Sequence, residues 1–310
     1  MPVWFSKFPA NKSRFTKIFF ILICLFLLGP LSAVLTGVYE KYLRTGTVKR
    51  YFETGELKEE AEYQWGKRQG LAKTYFKSGK LKDMVRYVDD MREGEMHEFY
   101  ENGEYKGEDF EIWLQFQDNL PGALKSETLY RLGQREGILR TYYESGAVKK
   151  EEKYVILRHL DFFNGKPTQT GVQHDIETHY YESGEIDAEI PYKIFASSKN
   201  GAVEYDAKVH EITKNMIFSR RHGIAKYYNE DGSLSQETTY DHGEKRGQMK
   251  VYRNNGTLFA TFEYDGSSHV SGRWTSSPVS GICHNRDGTT TPFTNAQLTN
   301  WDNGLTITCN

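Results

Sequence analysis

Residues 70–87 read GLAKTYFKSGKLKDMVRY. Apolar and polar residues alternate ahead of Gly79, the pattern of a half-buried strand. Ser78-Gly79 is a turn step in which glycine takes positive φ at no steric cost. Leu81 then opens a second alternating stretch that closes at Tyr87. The segment therefore describes one β-hairpin. The same spelling returns at 137–154 (GILRTYYESGAVKKEEKY) and at 223–240 (GIAKYYNEDGSLSQETTY).

Working outward, an aromatic residue four positions ahead of a glycine recurs along the chain. The pairs are Tyr51 and Gly55, Tyr75 and Gly79, Phe99 and Gly103, Tyr142 and Gly146, Tyr180 and Gly184, Tyr228 and Gly232, and Tyr252 and Gly256. Gly55, Gly79 and Gly103 step by 24 residues, as do Gly232 and Gly256, and the step from Gly184 to Gly232 is 48, twice that unit. A fixed period of this size marks a repeat architecture in which each unit buries its apolar face against its neighbours. Return strands open at Leu57, Leu81, Val148, Ile186, Leu234 and Leu258 and end at Tyr63, Tyr87, Tyr154, Tyr192, Tyr240 and Tyr264. A lone hairpin is marginal in water, so consecutive hairpins are expected to pair edge to edge, with the tyrosines holding them together. The expected fold over 39–266 is all-β, a single-layer antiparallel meander or solenoid. The mean hydropathy of −0.68 suits such a thin, wetted sheet.

The pattern Tyr-Tyr/Phe-x-x-Gly-x-Leu/Val, a Glu-rich stretch, then Tyr-x-x-Gly resembles the bacterial MORN-variant repeat, whose proteins are often labelled the YwqK family of antitoxins. Units at 47–66, 70–93, 94–110, 137–154, 223–246 and 247–266 carry the resemblance. The unit at 171–192 keeps its turn, but Pro191 is expected to interrupt its return strand. Residues 111–136, 155–170 and 193–222 depart from the pattern and read as degenerate units or insertions. The resemblance implies a hairpin-repeat sheet that works by protein contact and supplies no catalytic residues.

Ahead of the repeats, Ile18–Val38 runs without a charge, long enough at about 1.5 Å per helical residue to cross the roughly 30 Å of a bilayer core. Lys7, Lys12, Arg14 and Lys17 precede it with no acidic residue. The positive-inside bias then places residues 1–17 in the cytosol and exports the rest, facing the periplasm in a bacterium. The rival is a cleaved signal peptide with its apolar region at Ile18–Leu28. That reading meets a poor cleavage site at Leu31-Ser-Ala33 and leaves the protein secreted or periplasmic. Cys24 reads as a membrane-embedded residue.

Residues 267–310 lose the repeat, turn rich in Ser, Thr and Asn, and hold Cys283 and Cys309. In an oxidising compartment the two most simply pair, closing a loop worth on the order of 3 kcal/mol. Asn285–Gly288 and Trp301–Gly304 read as turns and residues 295–301 as a short helix. A small disulfide-closed cap is the expected form, with a recognition module anchored on Trp274 and Trp301 as the bolder reading.

Chemistry is sparse. The chain has no nucleophile elbow, P-loop, zinc-protease or dinucleotide motif. His174 and His179, five apart in a strand, face opposite ways and could not share a metal. The same alternation separates Glu59 from Glu60 and Glu151 from Glu152, so neither pair is an acid–base dyad. With 40 Lys and Arg interleaved among 42 Asp and Glu there is no basic stripe for a nucleic acid. The expectation is a non-catalytic, membrane-anchored scaffold that binds another protein on the exported side, without cofactor, metal or nucleic acid. An immunity protein neutralising a toxin is the alternative, and an envelope enzyme a more distant one.

Overall fold

The computed structural model describes residues 43–105, 121–160, 167–198, 201–204, 217–266, 269–270, 273–274, 277–304 and 306–309. The segment Ile18–Val38 and the basic tail before it lie outside the described residues. Among the described residues no helix is long and apolar enough to cross a membrane.

The strands are β1 (Gly46–Tyr51), β2 (Leu57–Gln64), β3 (Lys67–Tyr75), β4 (Leu81–Val88), β5 (Met91–Phe99), β6 (Leu124–Arg131), β7 (Gln134–Tyr142), β8 (Val148–Leu160), β9 (Pro167–Tyr180) and β10 (Ile186–Ser198). They continue as β11 (Gly201–Glu204), β12 (Ile217–Arg221), β13 (Gly223–Tyr228), β14 (Leu234–Asp241), β15 (Glu244–Tyr252) and β16 (Leu258–Asp265). After these come β17 (His269–Val270), β18 (Arg273–Trp274), β19 (Ser280–His284), β20 (Thr290–Pro292) and the helix α1 (Asn295–Asp302). Eighteen strands form one sheet, and β17 and β18 pair apart from it. From β1 to β10 each strand pairs antiparallel with the next. β10 passes the sheet on to β12 and β13, and the meander resumes through β14, β15, β16, β19 and β20. The expected all-β hairpin meander is the observed fold.

Each hairpin turns through the same three-residue loop. Gly55 N donates to Phe52 O at 3.0 Å and Phe52 N to Glu56 O at 2.8 Å, and the pair of bonds recurs at Gly79, Gly146, Gly184, Gly232 and Gly256. The glycine closes the loop at a φ between +78° and +100°, which offsets the register by one residue and which an L side chain resists.

The three departures from the period are insertions into an unbroken 24-residue plan. At Gly103 the return strand does not follow directly, as the 94–110 unit implied. Tyr100 N instead bonds Ala123 O at 2.8 Å, the bond that the residue after the glycine accepts elsewhere. Leu124 then pairs with Phe99 as Leu81 does with Tyr75. Residues 104–122 are thus spliced into the turn, and β6 inside the supposedly degenerate 111–136 is an ordinary return strand. The step from Gly103 to Gly146 exceeds 24 by the 19 residues inserted. Residues 155–170 lengthen β8 and β9, with Val155–Leu160 paired to Val172–Pro167. Residues 193–222 hold the extension of β10, the short return β11 and β12, so the 48-residue step is one unit plus an insertion rather than two units.

Pro191 does not interrupt its strand. β10 runs through it, paired with Ile176 on one side. On the other side it faces the break between β12 and β13, where His222 N donates to its carbonyl at 3.0 Å. A proline lacks an N–H to offer, and a neighbour that breaks its ladder there needs none.

A row of small or apolar side chains crosses one face, hereafter the first face. Successive cross-strand partners are Ala61, Ala72, Val85, Met96, Thr128 and Leu139, and beyond the insertions Ala225, Thr238, Met249 and Phe262. Ala61, Ala225, Thr238 and Phe262 are almost fully buried. Two long side-chain neighbours, Tyr63 and Tyr87, close over Ala61 and Ala72.

The cap begins with a hairpin of the same kind. Asn285 N bonds Thr289 O at 2.8 Å and Gly288 N bonds Asn285 O at 3.1 Å, so the repeat turn persists to Gly288 in a segment whose sequence had lost it. Phe262 is stacked by Phe293 at 5.3 Å and Trp301 at 4.6 Å between ring centres. Gly281 leaves room for them, since a Cβ there would fall 2.7 Å from the Phe293 ring. α1 is closed by a capping box of Thr294 and Gln297, and Cys283 is bonded to Cys309.

Candidate functional site

The repeated side chains form three ladders that tie unit to unit. On the first face Arg44, Arg68, Arg92, Arg135, Arg221 and Lys245 each lie over the ring of a strand-end tyrosine, namely Tyr63, Tyr87, Tyr130, Tyr154, Tyr240 and Tyr264, at 5.0–5.6 Å. The guanidinium also bridges hydroxyls. Arg92 reaches Tyr87 at 3.5 Å and Tyr130 at 3.1 Å, and Arg135 reaches Tyr130 and Tyr154. The fixed fork of arginine suits this double contact.

On the opposite face the hairpin tyrosine of one unit donates to a glutamate of the unit before it. Tyr142 bonds Glu127, Tyr180 bonds Glu151, Tyr228 bonds Glu189 and Tyr252 bonds Glu237, at 2.7–3.1 Å. Burial, then the bond to the carboxylate, pushes the Tyr228 and Tyr252 hydroxyls up to about 12. Where Met84 replaces the glutamate, Phe99 replaces the tyrosine and the two pack together with Leu81. In the cap His284 and Thr261 hold the equivalent positions, 3.1 Å apart. Along the turn edge Tyr100, Tyr143 and Tyr181 donate to the carbonyls of Tyr142, Tyr180 and Tyr228 at 2.7–2.9 Å. Tyr142, Tyr180, Tyr228 and Tyr252 thus face their neighbours, while Tyr51, before which no unit lies among the described residues, is 58% exposed.

The arginine ladder fails at one rung. Gln173 stands where an arginine is expected, and Asp175, at φ +66°, stands where the other units have glycine. There the buried row turns acidic, with Glu152 and Glu177 buried among otherwise apolar positions. Lys150 lies 2.8 Å from Glu152, while Gln173 and His179 lie 2.6 and 2.5 Å from Glu177. Burial alone would raise the Glu177 carboxyl, but the hydrogen bonds from His179 and Gln173 outweigh it and hold it below its ordinary range. Beside this rung a groove of about 480 Å³ crosses the first face, lined among others by Glu98, Lys125, Ser126, Thr141, Lys150 and Glu152. Its charged groups are paired with one another or open to water. Glu151 faces the other way, bonded to Arg140 at 2.6 Å, as alternation required.

The two loop-edge insertions build a second feature. Leu157, Val172, Ile194 and Ile217 form a small core of their own, and Gly171 N donates to Gln134 Oε1 at 3.0 Å, which ties the extension to the β6–β7 loop. At its far side Phe195, 1% exposed, packs against His222 and His242 with ring centres 5.5 and 4.4 Å away. Asp241 Oδ1 lies 3.3 Å from His222 Nδ1 and 2.6 Å from His242 Nδ1. Sequence reasoning weighed only His174 and His179 and missed this group, although the hairpin that pairs Gly223 with Tyr240 sets His222 across from Asp241.

Five segments of the chain match the MORN repeat variant. They are residues 44–64, 68–89, 135–155, 176–193 and 221–242. Each spans most of one hairpin, and the hairpins of β5–β6 and β15–β16 share their turn or ladder geometry. No curated protein matches the chain at a significant level. Among solved structures, the Tc holotoxin pore of Photorhabdus luminescens is similar at 10% identity with a TM-score of 0.19, and a TcdB2–TccC3 crystal structure at 10% identity with 0.18. Each match covers 80% of this chain, which spans 14% of the length of either structure. At these scores the likeness assigns neither fold nor role.

Of the two tryptophans considered as recognition anchors, Trp301 stacks on Phe262 inside the cap and so faces inward. The side chain of Trp274 lies outside the described residues. Cys283 and Cys309 serve the cap.

Proposed function

We propose that this chain is a non-catalytic, membrane-anchored repeat scaffold whose hairpin array binds another protein on the exported side of a bacterial inner membrane. The observation that carries this reading is the division of labour among side chains. The repeated arginines, glutamates and most of the repeated tyrosines are engaged in unit-to-unit ladders, whereas loops of one edge expose apolar residues that do not repeat. Trp65, Val88, Met91 and Leu132 are 51, 39, 41 and 44% exposed, and the Leu132 loop abuts the Met91 side chain at Gly133. Aromatic and aliphatic anchors of this kind are what a protein interface buries at its centre.

The uncharged stretch Ile18–Val38 and the cations ahead of it support the anchor. Affinity capture with the detergent-solubilised full chain, followed by the same capture with Trp65→Ser and Leu132→Ser together, tests the binding face. Recovery of a protein that the double variant loses is the expected result. Retention of a glycan or lipid in place of a protein would overturn the reading. Membrane fractionation after deletion of 18–38 tests the anchor, which continued retention would refute.

A further inference from the structure

We propose that His222, Asp241 and His242 bind a divalent transition-metal ion, zinc by preference, which clamps the start of β13 to the β14–β15 loop. The three residues each offer one ligand atom, and these atoms lie within 4.8 Å of one another. Tetrahedral zinc with bonds of about 2.0–2.1 Å sets its ligand atoms about 3.3 Å apart. The 3.3 Å between His222 Nδ1 and Asp241 Oδ1 already has that spacing. His222 Nδ1 is shielded from solvent and makes no hydrogen bond, because its contact with Asp241 is off the line of one. The nitrogen is therefore left without a partner beside the carboxylate oxygen, 3.3 Å away. His242 Nδ1 is closer, at 2.6 Å from the same oxygen, but it sits on a loop with its side chain 44% exposed and can withdraw to ligand distance.

The surroundings fit the same chemistry. Phe195 forms an apolar wall behind both imidazoles, which limits water on that side. Arg246 Nε lies 3.7 Å from Asp241 Oδ2, the oxygen left over, and would orient the carboxylate as supporting groups do around metal sites. Two imidazoles and one carboxylate suit zinc and its neighbours rather than calcium or magnesium. The exposed side of the group leaves a fourth position for water or for a ligand from a partner.

The placement is specific to one loop. At the equivalent positive-φ position other units carry Trp65, Asp89 and Leu132, and at the position of Asp241 they carry Gln64, Val88 and Arg131. His222 holds the place that Gln69 and Glu93 hold ahead of their glycines, where they accept from Asp89 N and Leu132 N, and here the loop it faces is Asp-His. An ion there would pin the open edge of a single hairpin, beside the Phe195 side chain that the β10 extension lays against it.

Equilibrium dialysis of the untagged, detergent-solubilised full chain against zinc, with cobalt(II) absorption as a second readout, tests the site. The expected result is about one equivalent bound, with a tetrahedral cobalt band, and a loss of about a hundredfold in affinity in Asp241→Asn and in His242→Gln. His242 lies on an exposed loop, so its variant keeps the fold and the comparison stays informative. Failure of the wild-type chain to retain zinc would overturn the proposal. So would binding that survives both substitutions combined.

Discussion

The hairpins from β1 to β8 and the cap from β16 to α1 solve the same problem by opposite means. A single-layer sheet has no second layer to bury its side chains. The hairpins answer with repeated polar contacts between units, arginine on tyrosine and tyrosine on glutamate, over a row of small and apolar side chains. The cap answers with an apolar core in which Phe262, Phe293 and Trp301 stack and a disulfide closes the chain. A repeat can use contacts worth little each because every unit contributes them again. The end of an array has no next unit, so its last hairpin is closed by packing.

Substitutions rank the two solutions. Phe262→Ala should cost about 3–5 kcal/mol in chemical denaturation, because the ring is fully enclosed by two others. Replacing Cys283 and Cys309 together by serine should cost about 2–4 kcal/mol for a 26-residue separation, with the loss confined to the cap in hydrogen exchange. Arg92→Met removes one rung that reaches two tyrosines and should cost about 1–2 kcal/mol. A larger loss there than in the cap would reverse the comparison.

Alkali should attack the tyrosine ladders. The hydroxyls of Tyr228 and Tyr252 hold their protons to about 12, above the ordinary tyrosine value near 10. The folded state therefore binds more protons between those values. The stabilisation is complete below about pH 10 and is lost as pH rises through 12. Thermal melts should show Tm falling across that window, with a shallower fall in Tyr228→Phe and Tyr252→Phe together. The smallest effect is expected from deleting 104–122, which joins Gly103 to Ala123. Stability should fall by about 1 kcal/mol, since the turn bonds already treat the two as neighbours and the main loss is the Tyr105 ring, 5.7 Å from that of Phe99.

Much of this was legible in the residues. The hairpin, its glycine, the return strand and the Cys283–Cys309 pair follow from alternation, turn chemistry and compartment. The ladders left a signal that pattern reading overlooked: arginine recurs at 44, 68 and 92 with the 24-residue period, and Phe99 appears where the partner glutamate is Met84. The insertions were misjudged for a physical reason. A sequence does not show that Ala123 hydrogen-bonds as though it followed Gly103, nor that a broken neighbouring strand frees Pro191 from offering an N–H. The nearness of His222 to Asp241 and His242 was legible in the pairing of Gly223 with Tyr240, whereas Phe195 reaches them only through the course of an insertion.

The 24-residue plan also makes the sheet a ruler. Each unit contributes two strands, and strands lie about 4.8 Å apart, so equivalent points on successive units are graduated at about 9.6 Å. Because the insertions place no strand between the paired strands of successive units, they add length to the chain without moving the graduations. A binding protein with two contact points would then be selected by the spacing between them, in whole steps of that pitch.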